Sequence, residues 1–275
     1  MTPIRKSASK GYLVLIGGAE EKKGKESILA KTLSLNNSHN VCIIPSASAY
    51  PRGVAEEYMT AFKKLGAKNV EILDIRDRQQ AEQQEFIDKI AEADLIFFTG
   101  GDLLKLIYVL EGTALLEAIH KANNEGATVA GTSAGASATG DPVFTGGDEK
   151  GLSKGSINIH DGFGFIKNIA IDTRFVNRGR LGRLTQFLCS GRTRKGVGIG
   201  ENTGIIIAPS MIFEVYGHEM VTVVSTENVE YSNYYDIDDG GEIIIEGIQV
   251  GFLQHGSHFN LNTWKVIPNA RKEHE

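Results

Sequence analysis

The residues Gly131-Thr132-Ser133-Ala134-Gly135 put a serine at the centre of a G-x-S-x-G pattern, directly after the short apolar run Thr128–Ala130. A serine on a sharp strand-to-helix turn stands clear of its neighbours, and small flanking residues let the backbone cross close to itself. The N–H of the following residue, Ala134, can then point at a developing oxyanion. The chemistry implied is nucleophilic attack by Ser133 on a carbonyl carbon. The plainer alternative is a glycine-rich connection carrying a surface serine. Placement straight after an apolar strand is the context that a nucleophile requires, and it favours the first reading.

Two further glycine turns, Gly17-Gly18 and Gly100-Gly101, also follow apolar runs. In open α/β sheets the ligand site lies beyond the carboxyl ends of the strands, so the three turns together predict a backbone-lined pocket around Ser133. A phosphate loop is the competing interpretation. However, Gly17-Gly-Ala-Glu20 lacks the third spaced glycine of the dinucleotide fingerprint, and no G-K-[ST] sequence occurs. His255 and His258 could suggest a metal pair, but no third ligand is evident. The sequence thus predicts neither cofactor nor metal.

These groups must be positioned by an alternation of strands and helices. Tyr12–Ile16, Val41–Ile44, Val70–Leu73, Asp94–Phe98 and Thr128–Ala130 read as strands, the continuous apolar runs being those of strands buried on both faces. Helices are predicted at about Lys25 to Leu35, Val54 to Leu65, around Phe86 to Ala91, after Asp102, and from Ala114 to Ala122, with Gly66 as a stop. That alternation predicts a parallel sheet with helices on both faces. Gly140 to Gly155 reads as a long loop. Ile169–Asp172 reads as a strand, followed by an arginine-rich stretch leading into a helix to about Leu188. From Val197 onward short strands dominate: Val197–Ile199, Gly204–Ile207, Ile212–Tyr216, Met220–Ser225, Val229–Tyr231 and Ile243–Val250. These are predicted to pair antiparallel through hairpins, with Gly217-His218 as a tight turn.

The chain has 275 residues, 41% hydrophobic and 23% charged, which suits one large domain spanning residues 1–275. Residues 1–10 and 269–275 are predicted to be flexible. A formal net charge of −5 gives no general reason to expect nucleic acid as partner. The arginines between Arg174 and Arg192 alternate with Gly and Leu instead of forming a basic block. Cys42 and Cys189 lack metal-ligand spacing and read as buried thiols of a reducing compartment. The first apolar run is too short for a secretory signal and no membrane span is evident, which points to a cytoplasmic protein.

Five stretches carry a resemblance: Phe98-Thr-Gly-Gly-Asp102, Gly131-Thr-Ser-Ala-Gly-Ala136, Ile171-Asp172 with Phe175, Arg178-Gly-Arg-Leu-Gly-Arg-Leu184, and Gly200-Glu-Asn-Thr203. In residues, order and spacing the chain resembles the cyanophycinases over roughly residues 10 to 255. More widely it resembles the aspartyl dipeptidases of the peptidase E type and, remotely, the class I glutamine amidotransferases. The resemblance implies a serine-type exopeptidase that releases β-Asp-Arg dipeptides from cyanophycin. It also implies a flavodoxin-like α/β sandwich and a homodimer. Ser133 matches the nucleophile. Glu149 falls near the acidic triad member, with Asp148 as a rival. Gly101 and Ala134 match the oxyanion donors, and Asp172, Arg178, Arg180 and Arg183 match the substrate pocket. Guanidinium forks suit a substrate bearing free carboxylates.

Three positions depart from the pattern. Arg174 stands where cyanophycinases have a histidine as general base. Leu103 and Thr173 each stand where a pocket glutamine is usual. An arginine, with a pKa above ~12, holds no lone pair for the serine proton at neutral pH. A replacement base is therefore needed, and His160, between Ser133 and Arg174 in the chain, is the candidate. The remaining histidines read as helix-end, turn or tail residues, although His255 and His258 could approach from a C-terminal loop. The leading reading is a serine peptidase for cyanophycin or a related β-aspartyl peptide. The alternatives are a catalytically impaired relative that binds Asp- or Arg-containing peptides, and a related hydrolase for an acidic dipeptide.

Overall fold

The computed structural model describes residues 10–147 and 152–268. The expectation of flexible ends falls largely outside them, as do Asp148 and Glu149.

The first half alternates as the sequence predicts: β1 (Leu13–Ile16), α1 (Ile28–Ser34), β2 (Asn40–Ile44), α2 (Pro51–Leu65), β3 (Asn69–Ile72), α3 (Gln84–Glu92), β4 (Leu95–Phe98), α4 (Leu103–Leu110), α5 (Ala114–Asn124), β5 (Thr128–Thr132) and the single turn α6 (Ala134–Ser137). The order β1-β5-β4-β2-β3 is parallel throughout. Period-two geometry explains the unbroken apolar runs. Val14 and Ile16 enter one core with residues of α1 and α2, while Leu13 and Leu15 enter a second core with residues of α4 and α5. Local signals set the helix ends. The Ser27 hydroxyl accepts the Ala30 N–H at 3.2 Å to open α1, and the Asp102 carboxylate accepts the Lys105 N–H at 3.1 Å to open α4. Gly66, at φ 109°, closes α2.

After α6 come β6 (Gly140–Asp141), β7 (Val143–Gly146), β8 (Ile157–His160), β9 (Ile166–Lys167), β10 (Ala170–Thr173) and α7 (Leu181–Cys189). The long loop expected over Gly140 to Gly155 is corrected here. Its first part forms β6 and β7, and β7 pairs antiparallel with β8 from Val143 against His160 to Gly146 against Ile157. The small and polar residues hid Val143 and Phe144, which are both buried.

The remaining strands are β11 (Lys195–Ile199), β12 (Thr203–Ile207), β13 (Ile212–Gly217), β14 (Val221–Ser225), the short pair β15 (Tyr231–Ser232) and β16 (Ile245–Glu246), β17 (Gln249–Leu253), β18 (His258–Asn260) and β19 (Lys265–Ile267). They divide between two sheets. β12 lies antiparallel on β1, and β13, β18 and β19 continue the large sheet antiparallel from there. A second sheet runs β10-β11-β14-β17, with β10 and β11 parallel. The predicted hairpin through Gly217-His218 does not form, because β13 is paired on both edges by β12 and β18, while β14 lies between β11 and β17. The run Ile243–Val250 is likewise split between β16 and the start of β17.

Candidate active site

Four chain reversals meet at one end of the sheets: Gly17-Gly18 after β1, Gly100-Gly101 after β4, Ser133 after β5 and Arg174 after β10. A cavity of about 550 Å³ opens there and is lined by residues of all four. The backbone ties them together. Ser133 N–H donates to Ile16 C=O at 2.9 Å, Arg174 N–H to Gly17 C=O at 3.0 Å, and Asn202 N–H to Gly18 C=O at 2.8 Å.

Ser133 sits at φ 52°, ψ −117° between β5 and α6. Such backbone is costly for a non-glycine residue and persists only where its surroundings over-determine it. The Ser133 C=O accepts the Ala136 and Ser137 N–H groups, both at 3.0 Å. The Gly101 and Ala134 N–H groups meet no acceptor among the described residues. Gly101 is fixed by its own neighbour: a Cβ there would stand 2.1 Å from Ala47 C=O, at a φ of 149°. Only glycine lets the loop after β4 pass that close.

Arg174 also has positive φ, at 51°. A Cβ placed on Gly18 would stand 3.1 Å from Arg174 Nε and 3.5 Å from Ser133 Cβ, so Gly18 marks the gap between the two side chains. Arg174 Nε lies 3.6 Å from Glu201 Oε1 and makes no hydrogen bond. Glu201 was quoted within a motif at the sequence level but given no role. It is the carboxylate that the described residues bring to Arg174, and Glu149 lies outside them.

Asp172, 1% exposed, is the anchor of the arginine block. Arg183 grips it with a two-pronged fork, Nε to Oδ2 and Nη2 to Oδ1, each at 2.9 Å. Arg180 Nη1 adds a bond to Oδ1 at 3.2 Å and another to Thr173 C=O at 2.7 Å. Arg183 also donates to Gly146 C=O and lies 4.8 Å over the Phe144 ring, which joins the β7–β8 hairpin to the pocket. Arg178 is exposed and has no ion pair among the described residues. Leu103 and Thr173 line the cavity, as do Arg174, Arg178, Arg180 and Arg183.

His160 does not line the cavity. It lies on β8 behind Thr145, whose hydroxyl is 3.4 Å from its Nε2 and does line the cavity. His255 accepts the Gly217 N–H through Nδ1 at 3.2 Å and His258 lies on β18. Among the described residues no histidine lines the cavity, and no group of three or more His, Cys, Asp or Glu is placed to hold a metal ion.

Sequence reasoning missed Glu20. It is 5% exposed, lines the cavity, accepts the Thr132 hydroxyl at 2.7 Å and accepts the Tyr58 hydroxyl. Burial, then the charge of Glu20, push the Tyr58 hydroxyl far above its usual pKa, so it remains a neutral donor. The signal was present: Glu20 is the first charged residue after the turn that ends β1, at the carboxyl edge where ligands bind.

A sheet whose five-stranded half is parallel, with helices on both faces and a polar cavity at the carboxyl edge of those strands, is the arrangement of an α/β enzyme. Residues 13–215 match the profile of peptidase family S51, and the chain belongs to that family of peptidases. It is 32% identical over 255 residues to a cyanophycinase of Geminocystis herdmanii, covering 91% of this chain and 94% of that protein. It is also 32% identical over 269 residues to a cyanophycinase of Trichormus variabilis, covering 96% and 90%. A crystal structure of a peptidase from an acI-B1 Actinobacterium shares the fold, with a TM-score of 0.70 at 22% identity over 92% of this chain and 98% of that one. No helix among the described residues is long and apolar enough to cross a membrane.

Proposed function

We propose that the chain is a serine-type exopeptidase that releases β-Asp-Arg units from cyanophycin or a related β-aspartyl peptide, acting slowly because Arg174 stands at the position of the general-base histidine. It works as a homodimer in the cytoplasm. The observation that carries the reading is Ser133, held at φ 52° on a strand–helix elbow, with the N–H groups of Gly101 and Ala134 meeting no acceptor among the described residues. Ser133 Oγ attacks the carbonyl carbon, the two N–H groups receive the oxyanion, and the arginines hold the substrate carboxylates. Collapse of the tetrahedral intermediate breaks the C–N bond, the leaving amine takes its proton from water, and a second water hydrolyses the Ser133 ester to release the product acid.

The departure at Arg174 sets the rate. Its guanidinium cannot take the serine proton, so the proton passes to water. Loss of one member of a serine triad lowers kcat by about 10⁴ while oxyanion and binding contributions survive. The test is β-Asp-Arg release from purified cyanophycin by the intact chain and by Ser133→Ala. Slow release that Ser133→Ala abolishes supports the reading. Release of equal rate from both would overturn it.

That no histidine among the described residues lines the cavity favours a second reading, a binding protein that keeps the pocket without turnover. Tight binding of β-aspartyl peptides with no Ser133-dependent product is its signature.

A further inference from the structure

The cavity carries charges of both signs. Arg174, Arg178, Arg180 and Arg183 line it, and so do Glu20, Glu57, Tyr58 and Lys22. The two buried carboxylates of this cavity are treated differently. Asp172 is surrounded by two guanidiniums. Glu20 receives two neutral hydroxyls and no cation among the described residues. The nearby ammonium of Lys22 is drawn instead to Glu57, at 3.4 Å, and over the Tyr58 ring, at 4.8 Å from its centroid.

An ionised carboxylate has about four acceptor sites, and the two hydroxyls fill only two. Burying such a group without a counter-charge is unfavourable unless a ligand completes it. The Tyr58 ring face already attracts the Lys22 ammonium, so the same cavity offers a cation both a carboxylate and an aromatic face.

We infer that Glu20 is a specificity-determining residue that receives a guanidinium or ammonium group of the substrate, while the arginines of the same cavity receive its carboxylate. The site then selects a dipolar peptide, with the scissile amide lying across Ser133 between an anionic and a cationic end. This rests on the proposed reading of the cavity as a peptide site.

The test uses Ser133→Ala protein, so that binding is read without turnover. Calorimetric titration compares β-Asp-Arg with β-Asp-citrulline, which has nearly the same shape but no charge on the side chain. The arginine peptide binds at least about tenfold tighter, a step of roughly 1.4 kcal/mol. Adding Glu20→Gln brings the two affinities within about twofold. Adding Tyr58→Phe or the exposed-rim change Glu57→Gln, each of which keeps the Glu20 charge, retains the preference. These two arms still assign the preference should Glu20→Gln fail to fold. Equal affinity for both peptides in the Ser133→Ala protein, or a preference that survives Glu20→Gln, overturns the inference alone. Failure of either peptide to bind overturns the peptide-site reading and this inference with it.

Discussion

Ser133 and Arg174 are held by neighbouring carbonyls of one turn: Ser133 N–H donates to Ile16 C=O and Arg174 N–H to Gly17 C=O, at 2.9 and 3.0 Å. Both residues keep positive φ, 52° and 51°. Each such backbone costs on the order of 1–3 kcal/mol, so the β1 turn stabilises two strained residues from different sheets in one arrangement. The position facing Ser133 is thus backbone-encoded, whatever side chain occupies it.

Placing an imidazole there should restore proton transfer. Glu201 Oε1 already lies 3.6 Å from Arg174 Nε, where it could orient a histidine ring and stabilise its protonated form. General-base catalysis contributes about 10²–10⁴-fold, so Arg174→His is expected to raise kcat for β-Asp-Arg release by that range. Glu201→Gln in the same background should remove much of the gain. A steady-state assay with no increase for Arg174→His would sink this account of the slow rate.

Asp172 should matter as much to the fold as to the pocket. Its carboxylate is buried and holds Arg180 and Arg183, and Arg183 reaches on to Gly146. Removing one partner of a buried ion pair leaves the others uncompensated and costs about 3–5 kcal/mol. Asp172→Asn retains the size and removes the charge, and we expect a loss of that order in urea unfolding at unchanged m-value. A loss under 1 kcal/mol would mean that the arginines are held by other contacts.

What the sequence made legible follows from how local each signal is. Ser133 was found because its cue is five adjacent residues after an apolar strand. The parallel core was found because Leu13–Ile16 and Leu95–Phe98 are buried on both faces and so read as unbroken apolar runs. Glu201 and Glu20 gained no role because their importance lies in partners about 27 and 112 residues away, Arg174 and Thr132. The split of β13 and β14 between two sheets was hidden for a similar reason. Either could have formed a hairpin locally, and only the neighbours on both edges decide otherwise.

The two thiols offer a check on the packing of the whole chain. Cys42 and Cys189 are both free and buried. Burial, followed by the charge of Glu71, pushes the Cys42 thiol up to about 12, and burial pushes Cys189 up to about 11. The thiolate is the reactive form, so both should resist iodoacetamide at a pH of about 8 and react only on unfolding. Mass spectrometry after a timed exposure, with and without guanidinium chloride, gives the count. Rapid native alkylation of either would contradict the buried placement.

His120 gives the pH dependence its sign. Its ring stacks on Phe165 at 4.0 Å and Nε2–H donates to Phe163 C=O at 2.7 Å. Desolvation lowers its pKa below the ordinary 6.5, only partly offset by that hydrogen bond, and Lys10 and Lys167 lower it further. Between the lowered native value and about 6.5, the unfolded chain therefore binds a proton that the folded chain refuses. Stability from this residue is complete above about 6.5 and falls as acid is added, levelling off below the native pKa. In denaturant titrations run from about pH 7 to about pH 5, the intact chain should lose more stability than His120→Gln, whose position 120 carries no titrating group. Equal losses in the two proteins would show that His120 takes up its proton in the folded state as readily as in the unfolded one.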